Sequence, residues 1–124
     1  MTHKSRLACL VIDCQTDDLT DAAAFWAKAL GLPGKVDDDG KYAPLAPSPG
    51  EPRVLLQSVD HPPRVHLDIE TDNKEAEANR LEALGARRVA HHPRWIIMEA
   101  PSGHRFCVVG PQRHDFAQNA NVWP

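Results

Sequence analysis

Apolar and polar side chains alternate most regularly over residues 64–72, Arg-Val-His-Leu-Asp-Ile-Glu-Thr-Asp. Because successive side chains of a strand point to opposite faces, this pattern predicts a strand with two chemically different faces. The apolar face, which we expect to contact the core, consists of Val65, Leu67 and Ile69. The polar face consists of His66, Asp68 and Glu70. Since burying such groups in a core is costly, we expect the polar face to line a solvated groove or a binding cavity.

The first half of the chain predicts one long strand, one helix and three shorter strands. The apolar run Leu7–Cys14 predicts the first strand, and a helix follows that Asp18 or Thr20 can cap and that ends at Gly31. Asp39-Gly40 favours a hairpin that joins residues 35–37 to residues 41–43. Residues 53–59 predict a further strand.

The second half repeats this order, with a strand at 64–72, a helix at 74–84 and strands at 87–91, 94–99 and 104–109. Residues 24–31 align with 78–85, and residues 11–17 align with 66–72 one residue out of step; chance is the alternative, because Ala-Leu-Gly is a common helix end. The repeat predicts an α+β fold made of two βαβββ units.

We expect a single domain over residues 1–124, with unit one at about 7–60, unit two at about 64–109 and a C-terminal tail at 110–124. The tail contains Phe116 and Trp123. Because a free tail seldom keeps exposed aromatic side chains, we expect it to dock on the domain or on a second subunit.

Composition and charge narrow the functional classes. The chain has 124 residues, 42% of them hydrophobic and 25% charged, which is typical of a soluble globular domain. A net charge of −3 provides no basic surface for nucleic acid. No signal peptide and no membrane span is recognisable, and three cysteines in apolar runs are typical of buried free thiols. We therefore expect a cytoplasmic protein without nucleic-acid or membrane partners.

Several segments resemble the vicinal oxygen chelate superfamily, which includes glyoxalases, bleomycin resistance proteins, extradiol dioxygenases and fosfomycin resistance enzymes. The segments are Ala24-Phe25-Trp26, Leu30-Gly31, Val65–Asp68 and the ending Trp95–Val109. They look most like small glyoxalase-like proteins of bacteria, and the resemblance covers about residues 7–109. It implies curled mixed sheets around a central groove, with the helices outside.

Metal-using members of this superfamily take one ligand, typically His, Glu or Gln, from the first and the last strand of each unit. The resemblance carries these positions to Val11, Gln57, His66 and Cys107. Only His66 matches well, and Val11 offers no ligand atom. We therefore expect no metal cofactor; if one binds, the resemblance gives it His66, Gln57 and Cys107, with Zn²⁺, Ni²⁺ or Mn²⁺ as candidates.

His66 is the strongest candidate for chemistry, because an imidazole can act as a base or recognise a ligand near neutral pH. The alternative is that Asp68 or a cross-strand neighbour holds it as part of a polar wall. Asp13 and Asp68 are interpreted as structural acceptors for loop backbone. Trp95 is the aromatic residue expected to reach the groove, whereas Trp26 and Phe106 are expected in the core.

The side chains predicted to line the ligand groove share a position on a groove-facing strand; they are Val11, Leu55, Gln57, His66, Asp68, Trp95, Glu99, Arg105 and Cys107. Glu99 and Arg105 could bracket a substrate carboxylate or pair with each other.

Two functions remain open. The first is a homodimeric, metal-independent protein that binds or sequesters a small molecule in the groove. The second is a glyoxalase, lyase or isomerase type of enzyme, with or without a metal, in which His66 is the base and Glu99 or Asp68 assists.

Overall fold

A computed structural model describes residues 2–124 and has an α+β fold, as predicted. Its elements in chain order are β1 (His3–Gln15), α1 (Thr20–Leu30), β2 (Tyr42–Leu45), β3 (Arg53–Val59), β4 (Arg64–Thr71), α2 (Lys74–Ala83), β5 (Arg87–His91), β6 (Trp95–Glu99), β7 (Arg105–Val109), α3 (Phe116–Asn119) and β8 (Asn121–Trp123).

The chain divides into two compact units, which we name by their position in the sequence. The central unit comprises residues 9–66. The terminal unit comprises residues 67–124 together with the N-terminal residues up to Ala8. Strands β1 and β4 each contribute residues to both units.

The central unit contains a short mixed sheet. Residues 9–15 of β1 pair in parallel with β3, and β2 pairs antiparallel with β3. Helix α1 ends at Gly31, whose φ of 68° lies in the left-handed region that favours glycine. The core of this unit is formed by Leu19, Ala23, Ala43, Leu45 and Leu56. Trp26 packs against that core, as predicted.

The predicted strand at residues 35–37 is absent from the central unit, so this repeat has three strands instead of four. Asp37 instead closes a turn: its backbone N–H donates to the carbonyl of Tyr42 at 2.8 Å, and its Oδ1 accepts from the Tyr42 N–H at 3.3 Å. Gly34 forms an isolated bridge to Leu45, where any larger side chain would overlap the Pro44 carbonyl oxygen. The proline-rich and turn-forming residues thus leave no room for a regular hairpin strand.

The terminal unit has the predicted order of strand, helix and three strands. Its part of β4 pairs in parallel with β7, while β7 with β6 and β6 with β5 are antiparallel. Helix α2 begins with Asn73, whose side chain accepts the N–H of Ala76 at 3.0 Å. The core consists of Ala78, Ile96, Met98, Phe106 and Val108, so Phe106 is a core residue as predicted.

Residues 110–124 belong to the terminal unit and dock on the chain itself. Strand β8 pairs antiparallel with the beginning of β1, where Trp123 lies opposite His3 and Asn121 opposite Ser5. The longest helix among residues 2–124 has 11 residues, and no helix there is long and apolar enough to cross a bilayer.

The predicted faces of β4 are wrong in one respect. Val65 and Leu67, expected in the core, are 58% and 42% exposed, whereas Asp68 and Glu70 are buried. The polar face can be buried because its charges have partners; the Glu70 carboxylate, for example, accepts a hydrogen bond from Arg6 at 2.7 Å. The groove that this face was expected to line remains a prediction.

Candidate functional site

A polar cluster in the central unit surrounds the carboxylate of Asp13 on β1. This side chain is only 2% exposed. Its Oδ2 lies 2.9 Å from Nδ1 of His66, 3.5 Å from Nε of Arg64 and 3.8 Å from Nε2 of His61. One carboxylate oxygen is therefore shared by three nitrogen-bearing side chains, of which His66 is at hydrogen-bond distance.

The local sequence explains why these groups converge. Arg64 and His66 are two residues apart on β4, so both side chains lie on one face of the strand. Pro62 and Pro63 stiffen the connector before β4, and His61 is fixed there by a 2.8 Å hydrogen bond between its Nδ1 and the Pro62 carbonyl. Asp13 thus receives groups from one strand and from the rigid turn that precedes it.

The second oxygen of Asp13 is exceptional. Oδ1 is buried and, among the described residues 2–124, is the one buried side-chain nitrogen or oxygen atom without a hydrogen-bond partner. Leaving a buried acceptor unsatisfied costs about 1–3 kcal/mol, and more when the group is charged. Such an atom calls for an explanation other than stability, and a functional role of the carboxylate is one such explanation.

Cys14 follows Asp13 on β1 and is a free thiol. Burial, followed by the negative charge of Asp13, raises the pKa of the Cys14 thiol. The thiol form therefore predominates at neutral pH, which makes Cys14 a poor nucleophile or metal ligand.

Asp68 and Cys107 are neighbours in the terminal unit, where β4 and β7 pair them directly. The two side chains offer a carboxylate oxygen and a sulfur as ligand atoms, both of which Zn²⁺ accepts, whereas Mn²⁺ favours oxygen-rich sites. Gln57 lies on β3 opposite Asp13 in the central unit. The metal set of His66, Gln57 and Cys107 that the resemblance implies remains a prediction.

Glu99 and Arg105 form an ion pair with each other, which was one of the two predicted roles. Arg105 Nε donates to Glu99 Oε1 and Arg87 Nε donates to Glu99 Oε2, both at 3.0 Å. The hydrogen bonds from Arg105 and then from Arg87 hold the pKa of Glu99 below its usual range. Glu99 is therefore a carboxylate at neutral pH and is engaged on the surface of the terminal unit.

The remaining predicted residues are apolar or aromatic. Trp95 stacks on His92 with the ring centroids 3.5 Å apart and an interplanar angle of 5°. Val11 is fully buried, and Leu55 is half-buried on β3. The prediction that these side chains contact a ligand remains a prediction.

Sequence reasoning missed the role of Asp13 and of its neighbours His61 and Arg64. Asp13 was expected to accept hydrogen bonds from loop backbone, but its partner is the His66 side chain. A signal was present in the sequence, because Asp13 is the one charged residue in the run Leu7–Cys14 and aligns with Asp68 in the repeat.

Comparison with known proteins agrees with this architecture. A family model for the glyoxalase-like domain matches residues 9–109. The comparison with curated proteins found no match.

Three solved structures are similar to this chain. Because their sequence identities to it are low, the similarity shows the fold alone. A hypothetical protein from Bacillus halodurans C-125 is 14% identical, with 89% of this chain and 96% of that chain covered and a TM-score of 0.63. A protein described as NAD-dependent benzaldehyde dehydrogenase from Legionella pneumophila is 9% identical, with coverages of 83% and 99% and a TM-score of 0.61. The Mn(II)-bound glyoxalase from Novosphingobium aromaticivorans is 20% identical, with coverages of 91% and 42% and a TM-score of 0.57.

The family model spans most of the chain, so the chain belongs to the glyoxalase-like domain family.

Proposed function

We propose that the protein binds a small molecule through His66 on the polar face of β4. The observation that carries this proposal is the 2.9 Å hydrogen bond between His66 and the buried Asp13. A histidine oriented by a buried carboxylate is a defined recognition group, whereas a solvated wall would not need a carboxylate with an unsatisfied oxygen.

The neighbouring side chains support the binding of a polar group. Arg64 is 50% exposed and His61 is 33% exposed, although both lie beside the buried Asp13. A ligand that approaches this face therefore meets hydrogen-bonding groups that are already fixed by an internal charge. Such preorganisation lowers the entropy cost of binding.

We propose further that binding does not require a metal. Val11, the position to which the resemblance assigns a ligand, is buried and has only hydrocarbon to offer. The competing view is that a metal binds at the positions that the resemblance implies, where it would polarise a substrate oxygen.

A second candidate function is proton transfer in a glyoxalase, lyase or isomerase type of reaction. The same Asp13–His66 pair favours it, because a carboxylate that supports an imidazole is a common arrangement for a general base. In that case His66 would take a proton from the bound molecule, and Asp13 would stabilise the resulting imidazolium.

The direct test is a thermal-shift panel of planar antibiotics and small metabolites on the wild-type protein, His66→Gln and His104→Gln. His104 is a matched control, since it is an exposed histidine on a turn in the terminal unit. We expect at least one compound to stabilise the wild type and His104→Gln but not His66→Gln. A hit that His66→Gln retains, or an empty panel, contradicts the proposal, and turnover of the bound compound would select the second candidate.

Metal dependence is tested in the same proteins. We expect no stoichiometric zinc, nickel or manganese in the purified protein and no stabilisation by these ions. Stabilisation by Zn²⁺ that chelator reverses and that His66→Gln abolishes would overturn metal independence.

We also propose that the protein forms a homodimer. The large exposed apolar side chains Val65 and Leu67 on β4 support association, because soluble monomers seldom keep apolar side chains exposed together. Light scattering should give the mass of two chains for the wild type and of one chain for Val65→Asp. Val122→Asp is the control, because Val122 is equally exposed on β8; a monomeric wild type would refute the dimer.

A further inference from the structure

Helix α1 in the central unit presents an apolar stretch to solvent. Asp21, Ala24, Phe25 and Lys28 are exposed and lie three or four residues apart, so they share one face of the helix. Phe25 is 61% exposed. A surface helix normally turns polar and charged side chains to solvent. The middle of this face is therefore unusual, because its two residues are apolar.

Helix α2, which has the same place in the second repeat, has a different exposed face. Glu75, Asn79 and Glu82 share that face and are exposed. Arg88 on β5 donates hydrogen bonds to all three of them, at 2.7, 2.8 and 3.1 Å. The exposed face of α2 is thus polar and engaged in hydrogen bonds. The apolar face is a property of α1 and not of the repeated strand–helix pattern.

Phe25 is held in place although it is exposed. Its ring packs edge-on against Trp26, with the ring centroids 5.1 Å apart and an interplanar angle of 87°. Trp26 in turn packs against the core of the central unit. A side chain that is already ordered loses less entropy when a partner covers it, and aromatic side chains are frequent anchors of protein interfaces.

The side chains along this face have a two-fold pattern. Asp21 lies as far before the midpoint between residues 24 and 25 as Lys28 lies after it. If two copies of the helix pack antiparallel about that midpoint, Asp21 of each copy faces Lys28 of the other. The same symmetry places the large Phe25 of each copy opposite the small Ala24 of the other. The face is therefore complementary to itself in charge and in size.

We propose that this face of α1 is a contact surface for α1 of a second copy of the chain, packed antiparallel to it. The charges select this arrangement, because a parallel pair would place Asp21 against Asp21 and Lys28 against Lys28. Such a contact is isologous, with the same residues on both sides. It is separate from the association through Val65 and Leu67 and from the binding of a small molecule.

The size of the contact sets its strength. Helix α1 has 11 residues and is about 16 Å long. A pair of such helices buries less than the roughly 1,200 Å² of a stable protein interface. The contact is therefore weak and joins molecules at high protein concentration, in addition to the dimer through β4.

The first experiment is sedimentation equilibrium of the full chain between about 10 μM and about 1 mM, the range in which weak contacts form. We expect the average mass of the wild type to rise with concentration, and Phe25→Glu to abolish the rise. Leu84→Glu is the matched control and should keep the rise, because Leu84 is an equally apolar side chain, 66% exposed, outside α1. A constant wild-type mass, or a rise that Phe25→Glu keeps, overturns the proposal.

Charge reversal identifies the occupant. Asp21→Lys and Lys28→Asp each place like charges opposite each other twice in the symmetric pair, so each variant alone should associate about tenfold more weakly or worse. An equimolar mixture should restore association to within about threefold of the wild type, because the two lysines of one variant then face the two carboxylates of the other. Both variants keep a negative net charge, so general attraction would not produce this restoration.

A mixture that associates as weakly as the single variants overturns the antiparallel pair and assigns the face to another occupant. Circular dichroism checks the fold of each variant, since the reversed charges oppose the helix dipole. If one of them does not fold, the comparison of Phe25→Glu with Leu84→Glu decides. The rise in mass should persist in Val65→Asp, so a failure of the dimer through β4 and a failure of the α1 contact give different results.

Discussion

Each of the two units buries a carboxylate, and the two carboxylates differ in their hydrogen bonding. In the terminal unit, Glu77 on α2 is fully buried and both of its oxygens are hydrogen-bonded. In the central unit, Asp13 is equally buried, but only one of its oxygens has a partner. A buried charge stabilises a fold only when its partners offset the cost of desolvation. The two carboxylates therefore differ in how far their partners offset the cost of burial.

The partners of Glu77 come from both ends of the terminal unit. Arg80 donates from Nε and Nη2, both at 2.8 Å, and His3 Nε2 lies 2.8 Å from Oε1. Burial by itself would raise the pKa of Glu77, but the hydrogen bonds from Arg80, His3 and Ser5 outweigh it and leave the pKa below its ordinary value. Glu77 is thus a fully satisfied anion at neutral pH.

The largest expected effect is from Glu77→Gln. An amide of the same size removes the charge that Arg80 and His3 surround, so we expect a loss of about 3–5 kcal/mol in the free energy of unfolding. Urea denaturation at pH 7 measures it. Glu75→Gln on the same helix is the control and should have little effect, because Glu75 pairs with Arg88 at the surface. Equal losses in the two variants would show that burial of Glu77 is unimportant.

Trp123→Ala should have the next largest effect. The Arg80 guanidinium lies 4.0 Å from the centre of the Trp123 ring, and Trp123 Nε1 donates to Ser5 Oγ at 2.8 Å. The loss of a cation–π contact and a hydrogen bond predicts a destabilisation of about 1–3 kcal/mol. Val122→Ala, at an exposed position of the same strand, should unfold at the wild-type urea concentration. If both variants match the wild type, β8 does not contribute to stability.

Low pH should lower the stability of the terminal unit, because it protonates Glu77. Because the pKa of Glu77 is lower in the folded than in the unfolded protein, its contribution is present above the unfolded pKa near 4.3 and is lost as pH falls through the folded value. Each pKa unit between the unfolded and the folded protein contributes about 1.4 kcal/mol to the free energy of unfolding. We expect urea midpoints between pH 6 and pH 2.5 to fall less steeply for Glu77→Gln than for the wild type. Parallel curves would contradict the lowered pKa.

Asp13→Asn should have the smallest effect on stability. The amide oxygen can keep the hydrogen bond to His66, and the ion pair that is lost involves the half-exposed Arg64 at 3.5 Å, so we expect a change within about 1 kcal/mol in either direction. Urea denaturation beside Glu77→Gln makes the comparison directly, since both substitutions replace a carboxylate by an amide. A loss as large as that of Glu77→Gln would make Asp13 a structural residue.

Local pattern was sufficient to predict most of the elements. The alternation around Ile69 and the stop at Gly31 depend on neighbours in sequence, and the structure has the corresponding strand and helix end. In place of the strand predicted at residues 35–37, the structure has a turn that Asp37 closes with Tyr42. Composition alone does not determine such a turn.

The candidate site was harder to predict, because its contacts are distant in sequence. His66 and Asp13 are 53 residues apart, and Glu70 and Arg6 are 64 apart. Alternation predicts that polar side chains share a face, but it cannot predict which of them obtain partners. The faces of β4 were therefore assigned by polarity, while the structure buries the charges that are paired and exposes Val65 and Leu67.

Strand β8 has a consequence for solubility. It has only three residues, but it covers backbone N–H and C=O groups along the beginning of β1, a strand that continues into the apolar run Leu7–Cys14. An uncovered strand edge next to an apolar segment is a template for association with other chains. Fraying of β8 would therefore open a route to aggregation well before the core unfolds, and its pairing protects the chain from that route.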